Sequence, residues 1–220
     1  MYIILLYIIF YLHLGLINCY SSLYTPKDYI HMKHIKNIYR NNLLLNNIYL
    51  DNNTINNIDR YELSLEHVCP QSYTKNMIHA KNDMHNLFLT ECYINSHRSN
   101  YKFIDELSIK NDVLIQQINK NNLDIIKRSE INNNLNYKSN LLRFFVPITQ
   151  SRGKIARTIS YMKLVYPKLN LKNIIDPEIL INWDKLYPPL QDEIERNELI
   201  YNLQGNINPF IERILDIDLQ

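Results

Sequence analysis

A chain of 220 residues with 46% hydrophobic side chains can bury one sizeable core, which excludes a disordered tail. Its 24 Lys and Arg against 22 Asp and Glu leave a net charge of +2, so no globally basic surface advertises nucleic acid. A nucleic-acid enzyme with this balance would need a local basic groove, and any functional argument has to rest on a site.

Residues 1–22 carry no charged side chain, and Tyr2 to Ile17 is apolar apart from His13. That length suits a cleaved signal peptide better than an uncleaved anchor or a buried element, although a basic n-region is missing. The expected division is a leader over 1–22 and one domain over 23–220. Export through the secretory route follows, with onward delivery to an organelle such as a plastid as the alternative.

Lys27 to Arg40 holds four basic residues and one acid, with Ile30, Ile35 and Ile38 near helical spacing. A helix is preferred there over an acid-poor transit extension. Residues 41–60 are rich in Asn and Leu and give no clear pattern. Tyr61 to Val68 (YELSLEHV) predicts a short strand closed by Pro70. Residues 71–82 read as a polar loop. Asp83 to Arg98 predicts a helix with Leu87, Cys92 and Ile94 toward a core.

Residues 105–142 contain no motif, including the run Asn132 to Asn134, and are expected to mix helix with irregular structure. Phe144 to Pro147 reads as a short buried segment. An amphipathic stretch runs from Arg152 to Met162, and a short helix from Glu178 to Trp183. Gln191 to Leu203 predicts a helix burying Ile194, Leu199 and Ile200, with Gly205 at its C-cap. Of three cysteines, Cys69 and Cys92 remain if Cys19 leaves with the leader. Two small buried hydrophobes are preferred over a disulfide between them.

The chemistry concentrates between Glu66 and Asn100. Phosphodiester hydrolysis needs a base for water, a cation against charge on the phosphorane, and a proton for the leaving oxygen. Histidine suits the first task because its pKa lies near working pH. Mg²⁺ suits the second, since one carboxylate and one amide oxygen suffice to anchor an ion that keeps several waters. Glu66, His67 and Asn95 offer these parts. Adjacent strand residues point to opposite faces, so Glu66 and His67 share a site only if the strand ends or bends between them.

A Glu-His pair alone means little among seven histidines. The surrounding boxes are EHVCPQS (66–72), DMHNL (83–87), NSHRSN (95–100), SRGKIARTISYM (151–162) and IERNELIYNLQGNINPFI (194–211). Together and in this order they resemble the endonuclease I family of bacterial periplasmic and extracellular nucleases, within the His-Me finger superfamily.

The resemblance implies an α+β fold: a mostly helical mixed domain with a small antiparallel sheet and a ββα-metal catalytic core. It implies His67 as general base and Glu66 and Asn95 as Mg²⁺ ligands, with Mn²⁺ or Ca²⁺ as substitutes. Asn86 would hold the loop presenting the histidine, with His85 in a supporting or packing role. Arg98 would either contact nucleic acid or brace the finger. The implied activity is cleavage of DNA, and of RNA in some members, with little sequence preference, leaving 5′-phosphate and 3′-hydroxyl ends. The chain would act as a monomer. A catalytically silent nucleic-acid-binding module is the alternative. The loop from Pro70 to Asp83 lacks an arginine found in some members, for which Lys75 or Lys81 would be weak substitutes. Arg152 and Arg157 suit a DNA groove or buried ion pairs, while Trp183 and the turn from Gln204 to Asn206 read as structural.

Overall fold

A computed structural model of the chain describes residues 24–28, 30–41, 48–49, 62–77, 79–105, 124–126, 136–139 and 143–217. The leader lies outside these residues. No helix among the described residues is long and apolar enough to cross a membrane.

Helix α1 spans Met32–Asn41 and buries Ile35 and Tyr39, one turn apart, as expected of an amphipathic helix. Strand β1 (Leu63–His67) pairs antiparallel with β2 (Leu87–Glu91), Leu65 opposite Leu89 and His67 opposite Leu87. A one-turn helix α2 (Gln71–Thr74) and a 3-10 turn (Met84–Asn86) sit in the connection. Helix α3 (Cys92–Arg98) follows β2 directly and packs against both strands. The helix expected over 83–98 is therefore a turn, a strand and a short helix. Leu87–Glu91 is buried at every position, and a strand covered on both faces loses the alternation that separates it from a buried helix.

A second, mixed sheet has the order β3-β6-β5-β4. Its strands are β3 (Lys102–Phe103), β4 (Asp124–Ile126), β5 (Asn136–Ser139) and β6 (Phe144–Val146). β3 runs parallel to β6, and the other pairs are antiparallel. The described parts of 105–142 are thus strands where helix and irregular structure were expected. They join the sheet through backbone bonds, which side-chain composition does not encode.

Helix α4 (Thr149–Val165) is buried over most of its circumference, not along one stripe. α5 (Pro177–Leu186) starts with proline at its first turn, and α6 (Gln191–Gln204) ends at Gly205 with φ 76°, the left-handed cap expected there. The face that α6 buries differs from expectation. Ile194 is 37% exposed, while Glu193, Arg196, Asn197, Ile200 and Gln204 are buried. The burial follows hydrogen bonding. Arg157 of α4 donates to Glu193 at 2.8 and 2.7 Å and to Asp184 at 2.8 Å, drawing α4, α5 and α6 together. Arg152 and Arg157 are accordingly buried partners in the scaffold, not groove residues, and Trp183 is fully buried.

Two apolar clusters flank the hairpin. One joins α4, α5 and the second sheet to Phe88 and Ile94; the other places Ile35 and Tyr39 of α1 against Leu87 and Leu89. Both cysteines are free, with Cys69 buried and Cys92 exposed, so only one is the small buried hydrophobe expected.

A Cβ at Gly153 would lie 2.1 Å from the Tyr187 carbonyl oxygen. Glycine at mid-helix is therefore required by the close approach of the α5–α6 connection. Gly153→Ala is expected to lower stability by about 1–3 kcal/mol, read as a lower urea midpoint; an unchanged midpoint would refute the close contact.

Candidate active site

The hairpin presents two different faces. In an antiparallel ladder, side chains alternate, so Ser64 and Glu66 leave one face of β1 and Leu65 and His67 the other. The pairing continues through His67, and the strand does not bend between acid and base as a shared site was expected to require. The turn comes afterwards, where the Val68 amide donates to the Asn86 carbonyl. Asn86 then grips Cys69 at two points: its Oδ1 accepts from the Cys69 amide at 2.7 Å, and its Nδ2 donates to the Cys69 carbonyl at 3.1 Å.

On the first face, Glu66 is 2% exposed. Its Oε1 accepts from the Tyr49 hydroxyl at 2.8 Å and lies 3.3 Å from Arg98 Nη1. Burial pushes the carboxyl above its ordinary range, while the Arg98 charge and the Tyr49 hydroxyl pull it back toward the ionised form. Arg98 is 1% exposed and donates to the carbonyls of His67 at 3.3 Å, Val68 at 2.5 Å and Ser99 at 3.1 Å. Of its two expected roles the structure favours the brace, because a guanidinium enclosed in this way cannot reach a phosphate.

Asn95 projects from α3 to the same edge of β1. The Leu89 carbonyl accepts from the Ile48 amide, so the opposed Leu65 carbonyl faces outward, and Asn95 Nδ2 donates to it at 3.1 Å. The same nitrogen donates to Ser64 Oγ at 2.9 Å. With its nitrogen engaged, Asn95 presents Oδ1. A carboxylate and an amide oxygen are hard donors that suit Mg²⁺, so the pair fits such an ion chemically. Among the described residues no group of three or more His, Cys, Asp or Glu could hold a metal, so an ion here would keep most of its waters.

On the second face, His67 is 8% exposed and lines a cavity of about 330 Å³ with Gln71, Lys81 and Lys36. Its Nε2 lies 2.9 Å from the Lys81 carbonyl, which only accepts, so Nε2 carries the proton. Nδ1 is left with its lone pair, and the Gln71 side-chain nitrogen borders both ring nitrogens, 3.2 Å from Nδ1 and 3.3 Å from Nε2. Burial lowers the His67 pKa to about 4; the charges of Lys81 and Arg98 add to this, and the Lys81 carbonyl opposes it. The ring is neutral at ordinary pH.

His85 lies away from both faces. Its Nε2 is 3.3 Å from the Asn206 carbonyl, its ring packs on Tyr161, and burial lowers its pKa to about 3. Its neighbour Asp83 accepts from Tyr161, Tyr166, Gln204 and the His85 amide, which pins the start of the 3-10 turn.

The Endonuclease I family profile matches residues 14–214 of the chain. The chain belongs to the endonuclease I family. Similar proteins include Endonuclease-1 of Buchnera aphidicola subsp. Acyrthosiphon pisum (strain APS), 30% identical over 60% of this chain and 45% of that protein. A periplasmic deoxyribonuclease of Aeromonas hydrophila is 34% identical over 60% of this chain and 47% of its own length. An extracellular deoxyribonuclease of the same organism is 33% identical over 60% and 49%. The chain spans about half the length of these curated relatives.

Within this endonuclease I chain, Tyr49, Gln71 and the Lys81 carbonyl are site contacts that sequence reasoning passed over. Gln71 lay inside a matched box. Tyr49 came from a stretch with no pattern, and a carbonyl contact leaves no trace in residue identity. Arg98→Met should cost about 3–5 kcal/mol in stability, because it strands the Glu66 carboxylate in the core. Denaturant unfolding checks this, and a near-neutral variant would show that Glu66 does not depend on the pair.

Proposed function

We propose that the chain is an exported, metal-dependent endonuclease that hydrolyses DNA phosphodiester bonds with His67 as general base. The observation that carries this is a neutral, oriented imidazole on a cavity, one residue from a buried carboxylate. The names of the Aeromonas relatives, periplasmic and extracellular deoxyribonucleases, support DNA as substrate. With the uncharged leader, those names support export.

The steps assigned to the protein are few. The Lys81 carbonyl holds the proton on Nε2, and the Gln71 side chain packs beside the ring within reach of both nitrogens. Nδ1 takes a proton from the attacking water. Glu66 and Asn95 would hold the metal, Glu66 drawn by Arg98 toward its ionised form against the effect of burial, and Asn95 turned oxygen-outward by Ser64 and Leu65. When bound, that ion offsets charge on the phosphorane and supplies a water to protonate the leaving oxygen. A phosphodiester crossing the outer edge of β1 meets the base from one face and the ligands from the other. The expected ends are 5′-phosphate and 3′-hydroxyl.

Supercoiled plasmid incubated with Mg²⁺ and with EDTA is the deciding assay: cutting only with Mg²⁺ is expected. His67→Ala should lower the rate by on the order of 10² to 10⁴ without recovery at raised Mg²⁺. Asn95→Ala should recover in part, and Glu66→Gln, which keeps an oxygen acceptor for Arg98, should do the same. A His67→Ala protein that cuts at the wild-type rate overturns the assignment, and a wild type that binds DNA without cutting makes the chain a binding module.

The pH profile follows from the lowered pKa. A base neutral down to about pH 4 keeps its lone pair through the range in which an ordinary histidine protonates. The acid limb of kcat/KM should therefore fall well below pH 6.5, toward about 4. An acid limb centred at the ordinary histidine value would show that burial does not tune this residue.

A further inference from the structure

Helix α1 takes no part in the chemistry above, yet it borders it. Ile35 and Tyr39 fasten α1 to Leu87 and Leu89 of the hairpin. The Tyr39 hydroxyl lies 3.0 and 2.8 Å from the carbonyls of Met84 and Leu87, tying the same helix to the turn that carries Asn86. Lys36 follows Ile35 in sequence, so its backbone is held as firmly as that fully buried side chain.

Lys36 and Lys81 are both exposed, and both line the cavity that contains His67. They come from elements far apart in the chain, α1 and the loop between α2 and the 3-10 turn. Neither has an ion pair among the described residues, whereas Lys102 and Lys154 each face an aspartate. Two lysines line this cavity with no carboxylate among its described lining residues, which makes the local potential positive. An anion is the occupant that relieves this. Lysine is a point charge on a flexible stem, suited to backbone phosphate and not to reading base edges.

Resting on the reading of His67 as the base, we infer that Lys36 and Lys81 are phosphate contacts that hold the nucleic-acid backbone across His67. They position the substrate, independently of sequence.

The test is equilibrium binding of the full chain to a short labelled DNA duplex in EDTA, with KCl as the variable. The slope of log affinity against log salt should become shallower by about 0.9 for each lost phosphate contact. Lys36→Gln and Lys81→Gln should each show this, and the double variant the sum. Lys36→Arg should restore the slope, and Lys185→Gln, on the exposed side of α5, should keep it. Thermal midpoints at the wild-type value establish that the variants are folded. Wild-type slopes in both glutamine variants, or an equal change in Lys185→Gln, would overturn the inference. Plasmid cutting is read separately. A chain that binds with the predicted slopes and never cuts refutes the hydrolase and leaves the phosphate contacts standing. Wild-type slopes in a chain that cuts do the reverse.

Discussion

Arg98 is a cation enclosed beneath a two-stranded hairpin, and burying a charge is tolerable only when it is paired and its donors are bonded. Its guanidinium meets the Glu66 carboxylate and three main-chain carbonyls, and the Phe103 ring lies 4.5 Å from its centre. Two of those carbonyls belong to His67 and Val68, at the end of β1. The pairing of its two terminal nitrogens thus ties together the end of β1, the Glu66 carboxylate and the crossing of α3 under the hairpin, while its Nε is left without a hydrogen-bond partner among the described residues. Asn95, one turn earlier on α3, is placed at the β1 edge by the same crossing.

The consequence is a division of labour between faces. Glu66 and Asn95 stand with the buried cation, while His67 stands on the opposite face beside a cavity. The separation keeps the imidazole away from the carboxylate that would otherwise raise its pKa, and burial then drives the ring neutral. A backbone carbonyl serves as its orienting partner in place of an acid, and it cannot be titrated.

Behind the hairpin, the scaffold is cross-linked by directional bonds as much as by apolar packing. Arg196 donates to the carbonyls of Met84 and Leu87, both at 2.7 Å, and stacks over Phe88. Gln204 accepts from the Met84 amide and donates to Asp83. The polar face of α6 therefore sets the geometry of the turn whose Asn86 clamps the finger loop. A half-made network of this kind would cost more than an apolar core, since each stranded group loses about 1–3 kcal/mol.

The sequence by itself determined the composition of the site and much of the helical scaffold. The adjacent Glu66 and His67, the Asn86 position, α1 and the left-handed cap at Gly205 all depend on local identity and spacing. Tertiary structure decided what local pattern does not carry. Leu87–Glu91 is a strand because it is covered on both faces, and coverage is a property of its neighbours. Arg98 is enclosed under the hairpin because Glu66, distant in sequence, meets it in the core. Ile194 is exposed and Arg196 buried because carbonyls from a turn more than a hundred residues earlier need donors there, and hydrogen bonding outweighs hydropathy at that position. The surroundings of His67, the Lys81 carbonyl and a cavity that Lys36 of α1 also lines, exist only once the chain has closed around them.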